Sequence, residues 1–522
     1  MKKIFLFAAA AALLTACSSE ELAGVDTVQQ KAEGDAINFS VYTPRVTRAG
    51  AAKEITATNI KDNTTDAGKA GFGILAYYTD DEKFDIDKST PNFMYNTQVR
   101  YDATTSKWTY NPVMYWPNEF KKANAENIDR VSFFAYAPYV EVENTTGIPY
   151  ADQVNWKTNP TLVKTEEKNI TAISKNTATG DPIVKYVVDT NPATSVDLLW
   201  GVASNEAANR YSAIDNTNSG VTVTAGKPFV DLVKPNQPAY TASSSATDKG
   251  GVLSFNLCHA LSKLNIDVKY ISDAETPSGT SKLINANETR IYIRSITIGG
   301  FIMKAALDLN SKETYEVNPA TTPVTYRGKA LWKDYDGKSA LSWDSNVKFF
   351  DGRKDGKEGT ESGENPNESY TGLNPYLLEN YVNDTWGGTE WLKAESAGGK
   401  NRGVTLDVQN LFGDGTAAND APIYVIPTGE NIDITIEYDV LTADKNLSTF
   451  LSDGLTAGSM IKNIISKKSY EIFNNGTTPV KMIDGKAYTI HLILGMTSVK
   501  IEAEVTDFEA ENATANLPQN QD

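Results

Sequence analysis

Short runs of alternating apolar and polar residues, broken by Asn, Asp, Gly, Ser, Thr and Pro, recur along this chain. Leu264, Ile266, Val268 and Tyr270 alternate with Asn265, Asp267 and Lys269. Ile432, Ile434, Ile436, Tyr438 and Val440 alternate with Asp433, Thr435, Glu437 and Asp439, and Val499, Ile501, Ala503 and Val505 with Lys500, Glu502 and Glu504. A period of two gives each segment one dry and one wet face, as antiparallel strands packed sheet on sheet require. Further β-type runs occupy residues 71–78, 93–101, 107–110, 131–136, 183–188 and 196–200, with a hairpin loop expected at 103–106. Near the start of the chain, Ile37, Phe39 and Val41 share one side of a short strand. No long amphipathic helix stands out, and helical inserts fit only residues 376–381 or 450–465.

The punctuation suggests how the chain is divided. Its 522 residues exceed what one ordinary core accommodates and suit two domains. Residues 235–251 combine Pro, Ser and Gly with few apolar anchors and mark the expected boundary. Residues 351–369 carry almost nothing apolar and read as a solvated loop. The expected units are a signal segment at 1–17, a tether with the first strand and candidate propeptide at 18–48, and β-domains at 49–240 and 250–510.

Composition narrows the function classes. A net charge of −17 repels nucleic acid and anionic lipid, so no nucleic-acid partner is expected. Apolar residues at 40% suffice for a packed core. There are only two cysteines, Cys17 and Cys258, and Cys258 lies in an apolar run as an inert core thiol. Sheets and core, without disulfides, must then hold the fold.

Lys2 and Lys3 precede an apolar stretch at residues 4–14 that is too short to span a bilayer. Leu14-Thr15-Ala16-Cys17 resembles a bacterial lipobox, which makes Cys17 the expected lipidation site and the lipid the expected anchor. After the first strand come Pro44-Arg45-Val46-Thr47-Arg48-Ala49-Gly50, an extended, accessible sequence of the kind trypsin-like proteases cut. A cut at Arg45 or Arg48 would remove the lipid and the first strand together.

No catalytic constellation stands out. His259 and His491 each fall within a strand pattern with no ligand or triad spacing nearby, so both read as structural. No P-loop, nucleophile elbow, zinc-protease or dinucleotide motif occurs, so no enzyme activity, cofactor or metal is expected. Trp386 and Trp391 bracket Gly387 and Gly388. They are the candidate ligand contacts, as a sugar-stacking pair, with core cover beneath a loop as the plainer reading.

Several segments together resemble the fimbrillin family, the lipoprotein-derived subunits of Bacteroidales type V pili. They are Tyr115-Trp116-Pro117 with Val131-Ser132-Phe133-Phe134-Ala135-Tyr136-Ala137-Pro138, then Asp197-Leu198-Leu199-Trp200-Gly201. The run Phe255-Asn256-Leu257-Cys258-His259-Ala260-Leu261-Ser262-Lys263-Leu264 is similar to a strand-opening pattern of that family. Ile296-Thr297-Ile298-Gly299-Gly300 and Gly485-Lys486-Ala487-Tyr488-Thr489-Ile490 come next in the same order. The resemblance implies two tandem transthyretin-like β-sandwich domains, mostly antiparallel. It implies a fimbrial subunit or accessory component at the outer-membrane surface that supports adhesion, with other subunits (homo- or heteropolymer) and a host protein or glycan as partners. It also implies assembly by protease-triggered strand exchange, in which the strand carrying Ile37, Phe39 and Val41 leaves and a neighbour's strand takes its place. The polar segment 509–522 departs from the pattern expected of a donated strand, which leaves a stalk, tip or anchor role open. The alternative is a permanently lipid-anchored surface glycan-binding protein using Trp386 and Trp391.

Overall fold

Alternation gives strands, and strands need backbone partners. In the computed structural model the described residues form four larger sheets and two short ribbons, in an all-β and mostly antiparallel arrangement. The structure describes residues 36–42, 54–117 apart from 57 and 63–69, 129–142, 162–204 apart from 165–166 and 190–193, 223–233, 252–270, 289–317, 325–341, 347–351, 409–410, 422–444, 459–494 apart from 472 and 475–477, and 499–507.

The eight-stranded sheet runs in the order Asn38–Tyr42, Val252–His259, Leu199–Ala203, Arg130–Ala137, Phe72–Asp80, Met94–Asp102, Lys107–Thr109, with Phe229–Leu232 also on Arg130–Ala137. The expected loop at 103–106 joins its last two strands, which pair through Arg100 with Thr109, Tyr101 with Trp108, and Asp102 with Lys107. Two pairings among the described strands are parallel: the first strand with Val252–His259, and Ser262–Tyr270 with Lys486–Leu494.

Arg130–Ala137 is buried at every position. Phe133 to Ala137 within it form a continuous apolar run, since each face of its sheet is covered by a separate core. Phe133 and Ala135 face the cluster that holds Phe39, Phe72, Phe229 and Phe255. Phe134 and Tyr136 face the other, with Trp200, Leu264, Tyr424 and Ile490. Gly201 in this layer is fixed by packing. A Cβ there would come within 2.7 Å of Ala135 Cβ and 2.8 Å of Phe255 Cδ1, closer than side-chain carbons pack.

Among the described residues, strands pair across the 235–251 stretch, as Asn38–Tyr42 does with Val252–His259. Val252–His259 pairs with Leu199–Ala203, and Lys304–Asp308 pairs with Ile183–Val187. The second core likewise joins Leu75 and Trp200 to Leu264, Ile423 and Ile490. Strands from 250–510 thus share two sheets with strands from 36–42 and 49–240. Of the helical insert that fits 450–465, residues 459–465 are corrected, because Ser459–Glu471 is a strand paired antiparallel along Asp433–Asp444, and residues 450–458 lie outside the described ones. Residues 376–381 lie outside the described ones.

A candidate assembly groove under the first strand

The first strand lies along an edge of the eight-stranded sheet. Asn38, Phe39, Ser40, Val41 and Tyr42 run parallel to Val252, Leu253, Ser254, Phe255 and Asn256. On the opposite side, Ile37 N–H donates to Met114 O at 2.9 Å, and Ala36 bridges to Tyr115. The strand therefore fills a slot between two stretches of backbone and hydrogen-bonds to both.

Alternation decides what enters the slot. Ile37 is 0% exposed and Phe39 4%, and Val41 packs partly buried against the same core. The Phe39 ring is set among four others: Tyr110 at 5.3 Å, Phe133 at 6.1 Å, Phe255 at 6.3 Å and Phe72 at 6.5 Å between centroids. Three of these contacts are edge-on and the Phe255 contact is stacked, the arrangements the ring quadrupole favours. Ser40 points to the other face, where its Oγ lies 2.8 Å from Ser254 Oγ. The three residues expected on one side of a removable strand are thus brought together over one groove.

Tyr110 ties the strand to the groove wall. Its hydroxyl donates to Ile37 O at 2.7 Å and lies 3.2 Å from both the N and the O of Met114. Burial pushes this hydroxyl far above the ordinary tyrosine range, so it keeps its proton and stays a donor. Tyr110→Phe is expected to lower stability by about 1 kcal/mol, the net worth of one buried hydrogen bond, in urea denaturation. An unchanged midpoint would mean that Tyr110 does not hold the strand.

The chain is anchored again from Glu54 onward, through different elements. Glu54, fully buried, meets Lys263 with Oε2 2.9 Å from Nζ. Ile55 N–H donates to Asp197 Oδ2 at 3.4 Å, and Asn59 Nδ2 donates to Glu54 O. Thr56 and Asn59 exchange hydrogen bonds across the turn, and Ile60 is buried beside them.

The two histidines differ in their surroundings. His259 is fully buried, and its Nδ1 lies 2.7 Å from Asp197 Oδ2, with Asp197 Oδ1 accepting from Leu198 N–H at 2.8 Å. This is a structural pair inside the core. Sequence spacing could not reveal it, because the two residues are distant in the chain and meet only through the pairing of their segments. His491 pairs through its backbone with Asp267 and Glu502. Cys258 is buried, and its Sγ lies 3.8 Å from Asn256 Nδ2. Cys17, Arg45, Arg48, Trp386 and Trp391 lie outside the described residues.

Over 139 residues the chain is 33% identical to the fimbrium subunit Fim1C of Phocaeicola vulgatus. Over that stretch the chain is similar to a fimbrium subunit. The matched stretch is 26% of this chain and 31% of that relative, so the chain covers less than a third of the relative's length. A fimbrial protein from Bacteroides vulgatus overlays 91% of this chain and 99% of its own, with 17% identity and a TM-score of 0.42. No family model matches the chain. The relationship agrees with the fimbrillin resemblance of the sequence motifs, two of which, around Tyr115-Trp116 and Phe255–His259, line or flank the groove.

Proposed function

We propose that this chain is a structural subunit or accessory component of cell-surface fimbriae, exported as a lipoprotein on Cys17 and assembled by protease-triggered strand exchange. The carrying observation is that residues 36–42 seal a hydrophobic slot, while the chain from Glu54 onward is held by other contacts. A cut at Arg45 or Arg48 falls between these two attachments. It would free the first strand without loosening the residues from Glu54 onward.

Loss of that strand would bare the edge of residues 252–256 and the Met114 side of the slot, leaving unpaired backbone groups beside exposed rings. Burying side chains such as Ile37, Phe39 and Val41 is worth about 5–8 kcal/mol before ordering costs. A strand supplied by a neighbouring subunit restores the ladder and recovers that burial. The joint is head-to-tail and its symmetry does not close, so it propagates as a filament. The partners are then other fimbrial subunits, with the outer membrane as partner through the lipid before processing. An adhesive partner, a host protein or glycan, belongs to the assembled surface.

N-terminal sequencing of surface-purified protein tests the proposal. A start at Val46 or Ala49, with ladders that survive boiling on a gel, is the expected result. A population still lipidated on Cys17, uncut and monomeric, would sink it and leave the glycan-binding alternative on Trp386 and Trp391.

A further inference from the structure

The slot does more than exclude water, because its two faces make different demands. On the core face the central position, Phe39, meets four aromatic rings at 5.3–6.5 Å. An aliphatic side chain there would fill volume but lose the ring contacts. On the opposite face the next position, Ser40, meets the Oγ of buried Ser254 at 2.8 Å. A large apolar residue there would strand a buried hydroxyl without its partner. The positions two before and two after the ring require bulky apolar groups, as Ile37 and Val41 supply. An occupant must therefore read bulky apolar, any residue, aromatic, Ser or Thr, bulky apolar.

Within the 522 residues that pattern occurs once, at Ile37-Asn38-Phe39-Ser40-Val41. Trp108-Thr109 and Tyr488-Thr489 have the aromatic and the hydroxyl, but Ser106 and Lys486 stand where the first apolar residue is needed. Ile436-Glu437-Tyr438-Asp439-Val440 matches except for an acid in the hydroxyl position. A net charge of −17 also sets two copies of this chain against each other.

We propose that the groove vacated by the first strand is selective for a segment of a different subunit, one that carries an aromatic residue followed by Ser or Thr between two bulky apolar positions. This makes the chain a link between unlike subunits. The inference rests on the proposed release of the first strand and adds to it the chemistry of the incoming strand.

The test uses the full chain cut at its arginine sites by limited treatment with an arginine-specific protease. A fluorescent peptide with the sequence of residues 35–43 is added, and its entry is followed by anisotropy. Phe39→Leu in the peptide is expected to weaken binding about tenfold through lost ring contacts. Phe39→Ala should weaken it about a hundredfold, as truncating a central anchor does. Ser40→Leu should cost about tenfold through the stranded Ser254 hydroxyl. A peptide of residues 434–442, taken from this same chain, should bind at least about tenfold more weakly than the parent, because Asp439 would bring a carboxylate charge against buried Ser254. In the cut protein, Ser254→Ala should erase the Ser40 preference and leave the Phe39 preference intact.

Equal affinity for the Phe, Leu and Ala peptides would overturn the selectivity. Equal affinity for residues 434–442 would overturn the assignment to an unlike subunit. If the parent peptide never enters the cut chain, release of the first strand is itself the wrong reading.

Discussion

Phe39→Ala is expected to lower the stability of the uncut chain by about 3–5 kcal/mol, the usual cost of emptying a buried aromatic site. The ring lies in the middle of an aromatic group that also includes Tyr110, Phe72, Phe133 and Phe255. These neighbours sit on four separate strands or their flanks and cannot all close on the cavity at once. The loss should therefore fall in the upper part of that range. Urea denaturation monitored by aromatic fluorescence measures it through the shift in midpoint at constant slope. Val41→Ala supplies the contrast. Val41 is only partly buried, so its truncation should cost well under half as much. If both variants unfold with the wild type, the first strand is a passenger on the surface and gives exchange nothing to work with.

Much of this strand is legible in the sequence, because period-two alternation acts over a few residues and survives in any context. Ile37, Phe39 and Val41 fall on one face by alternation alone, and they meet one core. The strands near 72–80, 94–102, 107–109 and 130–137 are equally readable, and so is the turn at 103–106. What short-range pattern cannot carry is the identity of the neighbour. The parallel pairing of Asn38–Tyr42 with Val252–His259 joins residues far apart in the chain, as the 214-residue separation of Ser40 and Ser254 illustrates. Lys304–Asp308 shows the same gap, since nothing local directs it to Ile183–Val187 across the expected boundary. A Pro/Ser/Gly-rich stretch reports that the chain turns or wanders there. It does not report which sheet the chain rejoins. The strand Ser459–Glu471 is obscured for a related reason: Met460, Ile461, Ile464 and Ile465 have a spacing that suits a helix as well as a strand, and pairing along Asp433–Asp444 decides it.

Buried polar partners are the least legible feature, and one of them carries the second large expected effect. Lys263→Met should destabilise the protein by about 3–5 kcal/mol, because it leaves the Glu54 carboxylate in the core without its cation. The pair is separated by 209 residues and closes the chain downstream of the arginine sites onto the strand Ser262–Tyr270. Converting both members, Glu54→Gln with Lys263→Met, removes the stranded charge. The double variant should recover much of the loss, and the resulting coupling energy measures the pair itself. The pair also has a part in assembly. When the first strand departs, Glu54, Ile55 and Ile60 must stay in place, or the slot widens into a general unfolding rather than a vacancy. Lys263→Met should therefore make the arginine-cut protein far more sensitive to a second protease than the uncut one. The double variant should restore resistance. Equal digestion of wild type and Lys263→Met after the arginine cut would mean that the downstream anchor lies elsewhere, and that an intact groove does not depend on this ion pair.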